Sequence, residues 1–168
     1  MPVSKKIEFV QNTELTIATL RQVAIWVHQN SSDNLGWWNP KLFTFDYLIQ
    51  FCEPNDFYSL LINGETVAGA ILTESQEAQS WSIVDGDKKQ KALYRHWLGV
   101  KSEFRGTGIP KIFTDYSIDV ARKRGLEYLR LDVDGTKNLT EIYKKLGFKL
   151  VTEILEDNKP IKYFQLKI

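Results

Sequence analysis

Arg105-Gly106-Thr107-Gly108-Ile109-Pro110 is the run in this sequence whose residue types and spacing most directly invite chemistry. It follows residues that read as a strand and precedes residues that read as a helix. A glycine turn in that place offers several backbone N–H groups and the positive end of a helix dipole to one point, which suits an anion. Glycine at 106 and 108 lets the backbone approach a phosphate closely, and Arg105 adds charge at the mouth. A tight strand-to-helix turn with no ligand would use the same two glycines, so the run alone leaves both readings open. Two nucleotide readings fail on residue types. The Lys-Ser/Thr pair of a P-loop is missing, as is the last glycine of the dinucleotide fingerprint, and nothing nearby would hold magnesium.

Other reactive residue types carry less. His28 has no ligand or triad partner at any recognisable spacing and reads as a surface or cap residue. Cys52 falls in an apolar helical run, with nothing adjacent to lower its pKa, and reads as core packing. Arg122-Lys123-Arg124 sits in the last turn of a predicted helix, where positive side chains complement the dipole. The lone cysteine forbids an intramolecular disulfide and a zinc-thiolate cluster.

The elements that must position the glycine turn follow from patterning. Ile7 to Val10 reads as a short strand, Asn12 and Thr13 as helix-cap candidates, and Ile17, Leu20, Val23, Ala24 and Val27 as one face of a first helix. Asn39-Pro40 gives a cap and a first-turn proline for a second helix through about Phe51. Phe57 to Ile62 and Glu65 to Leu72 flank Asn63-Gly64, a two-residue hairpin turn. A polar stretch from Thr73 to Lys91 leads into a strand over Ala92 to Val100. Beyond the glycine turn comes a helix with Ile112, Phe113, Tyr116 and Val120 on one face, stopped by Gly125. Leu129, Leu131 and Val133 mark another strand, a short helix runs to Leu146, and Phe148 to Ile154 with Ile161 to Ile168 form a terminal hairpin around Asp157-Asn158-Lys159-Pro160. Hairpins mixed with two strand-helix-strand crossovers imply a mixed sheet with helices on both faces.

Length and composition fit one domain over residues 1–168: 43% of the residues are hydrophobic, enough for a substantial core. A formal charge of +1 with no basic stripe argues against nucleic acid. No segment has the roughly 18 apolar residues of a membrane span, and the polar, charged start does not read as a signal peptide. The expectation is a cytoplasmic protein with no membrane partner.

Two motifs in order carry a family resemblance. His96-Trp97-Leu98-Gly99-Val100-Lys101-Ser102-Glu103-Phe104-Arg105-Gly106-Thr107-Gly108-Ile109 and Ile142-Tyr143-Lys144-Lys145-Leu146-Gly147-Phe148 resemble the fourth strand with its pyrophosphate loop, and the Tyr-x-Lys-x-Gly-Phe segment, of the GNAT superfamily of N-acetyltransferases. The resemblance implies an α+β fold of three layers, α/β/α, with a mixed, mostly antiparallel sheet of about seven strands and about four helices. It implies binding of acetyl-CoA and transfer of its acetyl group to a primary amine by direct attack in a ternary complex, without a metal. The residues it assigns to acetyl-CoA are Leu98, Gly99, Val100, Arg105, Gly106, Thr107, Gly108, Ile109, Pro110, Lys111, Thr136, Asn138 and Lys145. Pro110 replaces the family's usual glycine or alanine and removes one N–H donor. Thr136 stands where the family often has asparagine, and Asn138 either takes that role or starts a helix-capping box with Glu141.

Tyr143 is then the general acid for the departing thiolate, since a phenol stays protonated at neutral pH. His96, with Tyr94, is the candidate base for the incoming ammonium, because strand alternation puts Tyr94, His96, Leu98 and Val100 on one face. A histidine packed in the sheet is the equal alternative. The resemblance implies that the loop from Asn30 to Asn39 and the stretch from Thr73 to Lys91 flank the open end of the cofactor tunnel, where Trp37, Trp38 and Trp81, with Glu74 or Glu77, either wall a pocket for a small, partly apolar amine or are a packed loop and solvated carboxylates. The competing functions are an acyl-CoA-binding module without chemistry, and acetylation of a protein or peptide amine. A homodimer is a possible assembly.

Overall fold

The computed structural model describes residues 5–31, 36–74 and 81–168. Its elements run β1 (Ile7–Gln11), α1 (Thr13–Asn30), α2 (Phe45–Leu48), β2 (Phe57–Ile62), β3 (Glu65–Thr73), α3 (Ser82–Asp85), β4 (Ala92–Val100), α4 (Ile109–Lys123), β5 (Tyr128–Asp134), α5 (Thr140–Lys145), β6 (Lys149–Glu156) and β7 (Lys159–Lys167). The seven strands lie in the order β1-β2-β3-β4-β5-β7-β6. β4 and β5 are parallel, while β1–β2, β2–β3, β5–β7 and β6–β7 are antiparallel. The sheet is therefore mixed, as expected, with β7 inserted between β5 and β6.

Local chemistry explains most boundaries. Asn12 Oδ1 accepts from the Leu15 N–H at 2.9 Å and caps α1. Asn63 and Gly64 take φ of 52° and 82°, and Asp157 and Asn158 take 49° and 63°, so both hairpins close through left-handed residue pairs that follow the strand twist. The helix expected from Asn39 to Phe51 is broken. Asn39 caps only a single 3-10 turn, Pro40–Leu42, and α2 starts afresh with Thr44 Oγ1 accepting from the Tyr47 N–H. Between them Phe43 leaves the helical conformation and is 1% exposed in the core, so burial of its ring overrides continuation. The polar stretch after β3 also holds an unforeseen turn of helix, α3, where the Trp81 carbonyl accepts from Val84 and Asp85.

The chain forms two compact units, Met1–Leu72 with Trp97–Phe113, and Thr73–His96 with Thr114–Ile168. In the first, Leu20, Ala24, Phe43, Leu48, Cys52, Phe57 and Ile71 pack together, joined by Trp38 and Trp97. In the second, Trp81, Ala92, Tyr94, Ile161 and Tyr163 form the core. Among the described residues no helix is long and apolar enough to cross a membrane.

Candidate active site

The glycine turn lies in the first unit. β4 ends at Val100, a 3-10 turn covers Ser102–Phe104, Arg105 is extended, and α4 begins at Ile109. Gly106 and Gly108 take φ of 74° and 81°, a region that strains any residue with a Cβ. No heavy atom lies within 4 Å of the Cβ position at either, so the turn faces open space. The Gly108 carbonyl accepts from Lys111 and Ile112 at 3.0 and 3.3 Å and closes the first turn of α4. Among the described residues, the N–H groups of Gly106, Thr107, Gly108 and Ile109 have no acceptor. Four donors at the start of a 15-residue helix, beside a gap that a Cβ would fill, fit a pyrophosphate. Pro110 contributes no donor.

The Arg105 guanidinium stacks on Trp26, its carbon 3.8 Å from the ring centroid. Trp26 also lines a cavity of about 200 Å³ with Gln22, Val23, Lys101 and Ser102. That is smaller than the roughly 300 Å³ at which small-ligand pockets begin, and no ligand is assigned to it.

β4 carries residues of both units. Its register with β5 holds at Ala92↔Tyr128, Leu93↔Leu129 and Tyr94↔Arg130 and then ends, although the strands go on to Val100 and Asp134. Trp97 takes φ of 47°, an uncommon conformation for a bulky residue and a strained one inside a strand. Regular alternation therefore does not pass through it, and the expectation that Leu98 and Val100 continue the face of Tyr94 and His96 is corrected. A side chain at Gly99 would meet Leu20 Cδ2 at 3.0 Å and Trp38 Cη2 at 3.1 Å, so this glycine permits close packing of β4 on α1. The Trp97 indole N–H donates to the Trp37 carbonyl at 3.0 Å.

In the second unit, Tyr143 on α5 has its ring 5.1 Å from Phe164 and 5.9 Å from Phe148, edge-on to the latter. Burial pushes its phenol above the ordinary tyrosine value; the Arg95 cation opposes this, and the Asp132 carboxylate adds to it. The phenol is thus protonated at neutral pH. Arg95, which the sequence reading did not single out, is 4% exposed; its Nη1 donates to Thr114 Oγ1 at 2.8 Å and its Cζ lies 5.5 Å from the Phe148 centroid. Its signal in the sequence was a charged residue between Tyr94 and His96 in a strand with few charges.

His96 Nε2 is 3.1 Å from Thr73 Oγ1. Burial of its ring pushes its pKa down to about 4, although part of the residue's surface stays open. It is neutral at pH 7 and a weak proton acceptor. Tyr94 is 3% exposed, with its ring 6.0 Å from Trp81 and its hydroxyl 3.4 Å from Arg130 Nη1. Thr136 is exposed, its N–H and Oγ1 both bonded to Asp134 Oδ1. Asn138 and Lys145 are exposed, and the cap of α5 is Leu139 with no side-chain bond, so the Asn138 capping box is not formed.

The residues suggested for an acceptor pocket divide. Trp37 is 42% exposed, while Trp38 lies 5.6 Å from Phe43 in the core of the first unit. Trp81 is only 3% exposed, stacked edge-on against Tyr163 at 5.1 Å, and is corrected from pocket wall to core residue. Glu74 bonds Arg124 Nη1 at 3.0 Å, which already satisfies its charge, and Glu77 lies outside the described residues. His28 is exposed at the end of α1. Burial, with Asp56 and Glu53 nearby, pushes the Cys52 thiol up to about 12, which makes it inert. Among the described residues no group of three or more His, Cys, Asp or Glu could hold a metal ion.

The model of the acetyltransferase (GNAT) family matches residues 23–148, about three-quarters of the chain. No curated protein matches the sequence. Solved structures match in fold. A GNAT-family acetyltransferase from Listeria monocytogenes 4b F2365 aligns with a TM-score of 0.71 at 19% identity, over 98% of this chain and 95% of its own. The PaiA N-acetyltransferase from Thermoplasma acidophilum, solved in complex with coenzyme A, aligns with a TM-score of 0.68 at 16% identity, over 97% and 99%. Ard1 from Thermoplasma volcanium aligns at 0.65 and 14%, over 99% of both. The seven-stranded mixed sheet with five helices is the GNAT acyl-CoA N-acyltransferase fold.

Proposed function

We propose that this chain, which belongs to the GNAT acetyltransferase family, uses acetyl-CoA to acetylate a primary amine of a small, partly apolar acceptor by direct attack within a ternary complex. The observation that carries the reading is the turn at 105–109, with four unengaged N–H donors, open space and a helix dipole at one point. Acetyl-CoA supplies an activated acetyl group as a thioester whose sulfur must leave with a proton.

Each residue then has a role. The N–H groups of 106–109 hold the pyrophosphate, and Arg105 swings from Trp26 to add its charge. Backbone groups of Leu98 and Val100 pair with the pantetheine arm; Thr136, Asn138 and Lys145, exposed in the second unit, are further polar groups offered to the cofactor. The Leu98 N–H donates to the oxygen that gains charge as the amine attacks, a contribution of about 2.7–4 kcal/mol in a dry site. Tyr143, protonated at neutral pH, gives its proton to sulfur. His96, with its pKa near 4 and its Nε2 3.1 Å from Thr73 Oγ1, stays neutral, and the ammonium proton leaves to water.

The apolar character of the acceptor is supported by Trp37, Phe45, Ile49 and Phe51, all 38–51% exposed within residues 37–51 of the first unit. Release of free CoA thiol with aromatic and aliphatic monoamines, polyamines, amino acids and short peptides tests the whole reading. A small apolar monoamine is expected to give the highest kcat/KM, and Trp37→Ala to raise its KM severalfold. Preference for peptides would reject the acceptor class, and CoA binding without thiol release for any amine would point to a binding module.

A further inference from the structure

We propose that Arg95 is the positioning residue of the acid step, its guanidinium supplying the counter-charge that the Tyr143 oxygen needs as it gives up its proton. The inference rests on the assignment of Tyr143 as general acid. Three observations within the second unit carry it. Arg95 is 4% exposed, and one bond, Nη1 to Thr114 Oγ1 at 2.8 Å, fixes its fork. Its Cζ lies 5.5 Å from the Phe148 centroid, and the Tyr143 ring meets the same phenylalanine edge-on at 5.9 Å. Finally, among the described residues the buried Arg95 Nη2 has no hydrogen-bond partner and Arg95 has no carboxylate.

A buried guanidinium cannot shed its proton to relieve its own desolvation, so a site that keeps one unpaired carries a standing cost. That cost is offset when a negative charge appears next to it. The reaction creates one: the amine nitrogen bonds to the acetyl carbon, the carbon–sulfur bond breaks with its electron pair on sulfur, and sulfur takes the Tyr143 proton. The phenolate left behind recovers a proton from water, while the amine's surplus proton goes to solvent. The charged groups that bear on Tyr143 are Arg95 from β4 and Asp132 from β5; on its own helix Glu141 and Lys144 pair with each other at 3.1 Å, and Lys145 is exposed. Arg95 is thus the cation that works against burial and against Asp132 to keep the phenol a usable acid.

A purely structural Arg95, tying β4 to α4 through Thr114, would behave differently, and pH separates the two. Measure kcat against pH, with acetyl-CoA and acceptor saturating, for wild type, Arg95→Gln, Arg95→Lys, Tyr143→Phe and the Arg95→Gln/Tyr143→Phe pair. Loss of the cation is expected to lower kcat about 10-fold and to move the alkaline limb up by about one pH unit in Arg95→Gln. Arg95→Lys should restore most of both. The pair should be no slower than Tyr143→Phe alone, since the two residues act as a unit. If Arg95→Gln does not fold, Arg95→Met, which puts no polar group of its own in the buried site, carries the same expectation. A limb that stays in place in the neutral variants, or a lysine no better than glutamine, overturns the proposal. Wild-type kcat in Tyr143→Phe overturns the acid assignment instead, before Arg95 is considered.

Discussion

Arg95 and Arg130 stand on the parallel strands β4 and β5 and are almost equally buried, at 4% and 1% exposure. Arg130 is fully matched. It donates to both oxygens of Asp85 at 2.8 and 2.7 Å and to Gln165 Oε1 at 2.9 Å, with Trp81 4.4 Å and Tyr128 5.2 Å from its Cζ. Arg95 has one hydroxyl and the face of Phe148. The first arrangement is complete in the resting protein, so its charge holds structure. The second leaves its charge without a carboxylate among the described residues, and the phenol proposed as the acid meets the same Phe148 ring.

The contrast can be broken first at Asp85. Burial pushes this carboxyl up, but the hydrogen bonds and charge of Arg130, with the Gln90 N–H, outweigh that and hold it below the ordinary carboxylate value. Asp85→Asn would leave a buried charge unpaired at a cost of about 3–5 kcal/mol, a fall of roughly 10 °C in Tm. Because the folded pKa is the lower one, the pair's stabilisation is present above the unfolded value near pH 3.9 and is lost as pH falls through the folded value. Thermal melts below about pH 4 should show that loss in wild type and not in Asp85→Asn. Replacing both partners, Asp85→Leu with Arg130→Met, should recover most of the stability, and failure to do so would assign Arg130 more than a structural role.

A smaller effect is expected at Thr114. Thr114→Val removes the one acceptor of the Arg95 guanidinium among the described residues and should cost about 1–3 kcal/mol in a denaturant titration. A loss as large as that of Asp85→Asn would erase the distinction between the two arginines. The smallest effect is expected for His96→Gln. With the imidazole near pKa 4, the profile of kcat/KM between about pH 5 and about pH 8 should keep its shape. An acidic limb near neutrality that disappears in the variant would restore His96 as the base.

What the sequence made legible follows from where the information lies. Asn63-Gly64, Gly106 and Gly108 announce positive φ by residue type, and the motif around Tyr143 is contiguous, so turn, loop and acid candidate could be named without coordinates. Phe43 and Thr44 could not, because the break in the second helix depends on a core that residues far along the chain build. Trp97 adopts φ of 47° against its residue preference, and the alternation argument failed there. Arg95 escaped for the same reason: its meaning lies in Thr114 and Phe148, both distant in sequence.

The central claim, that the turn at 105–109 receives acetyl-CoA, is tested most directly by CoA binding to Gly108→Glu. A side chain there faces open space, so the fold has room for it, although φ of 81° imposes local strain. Calorimetric titration should give clear CoA binding to wild type, with a thermal stabilisation of about 2.7 kcal/mol at 100 times the dissociation constant. In Gly108→Glu, bulk and negative charge should remove both. A folded Gly108→Glu protein that binds CoA with wild-type affinity would contradict the assignment.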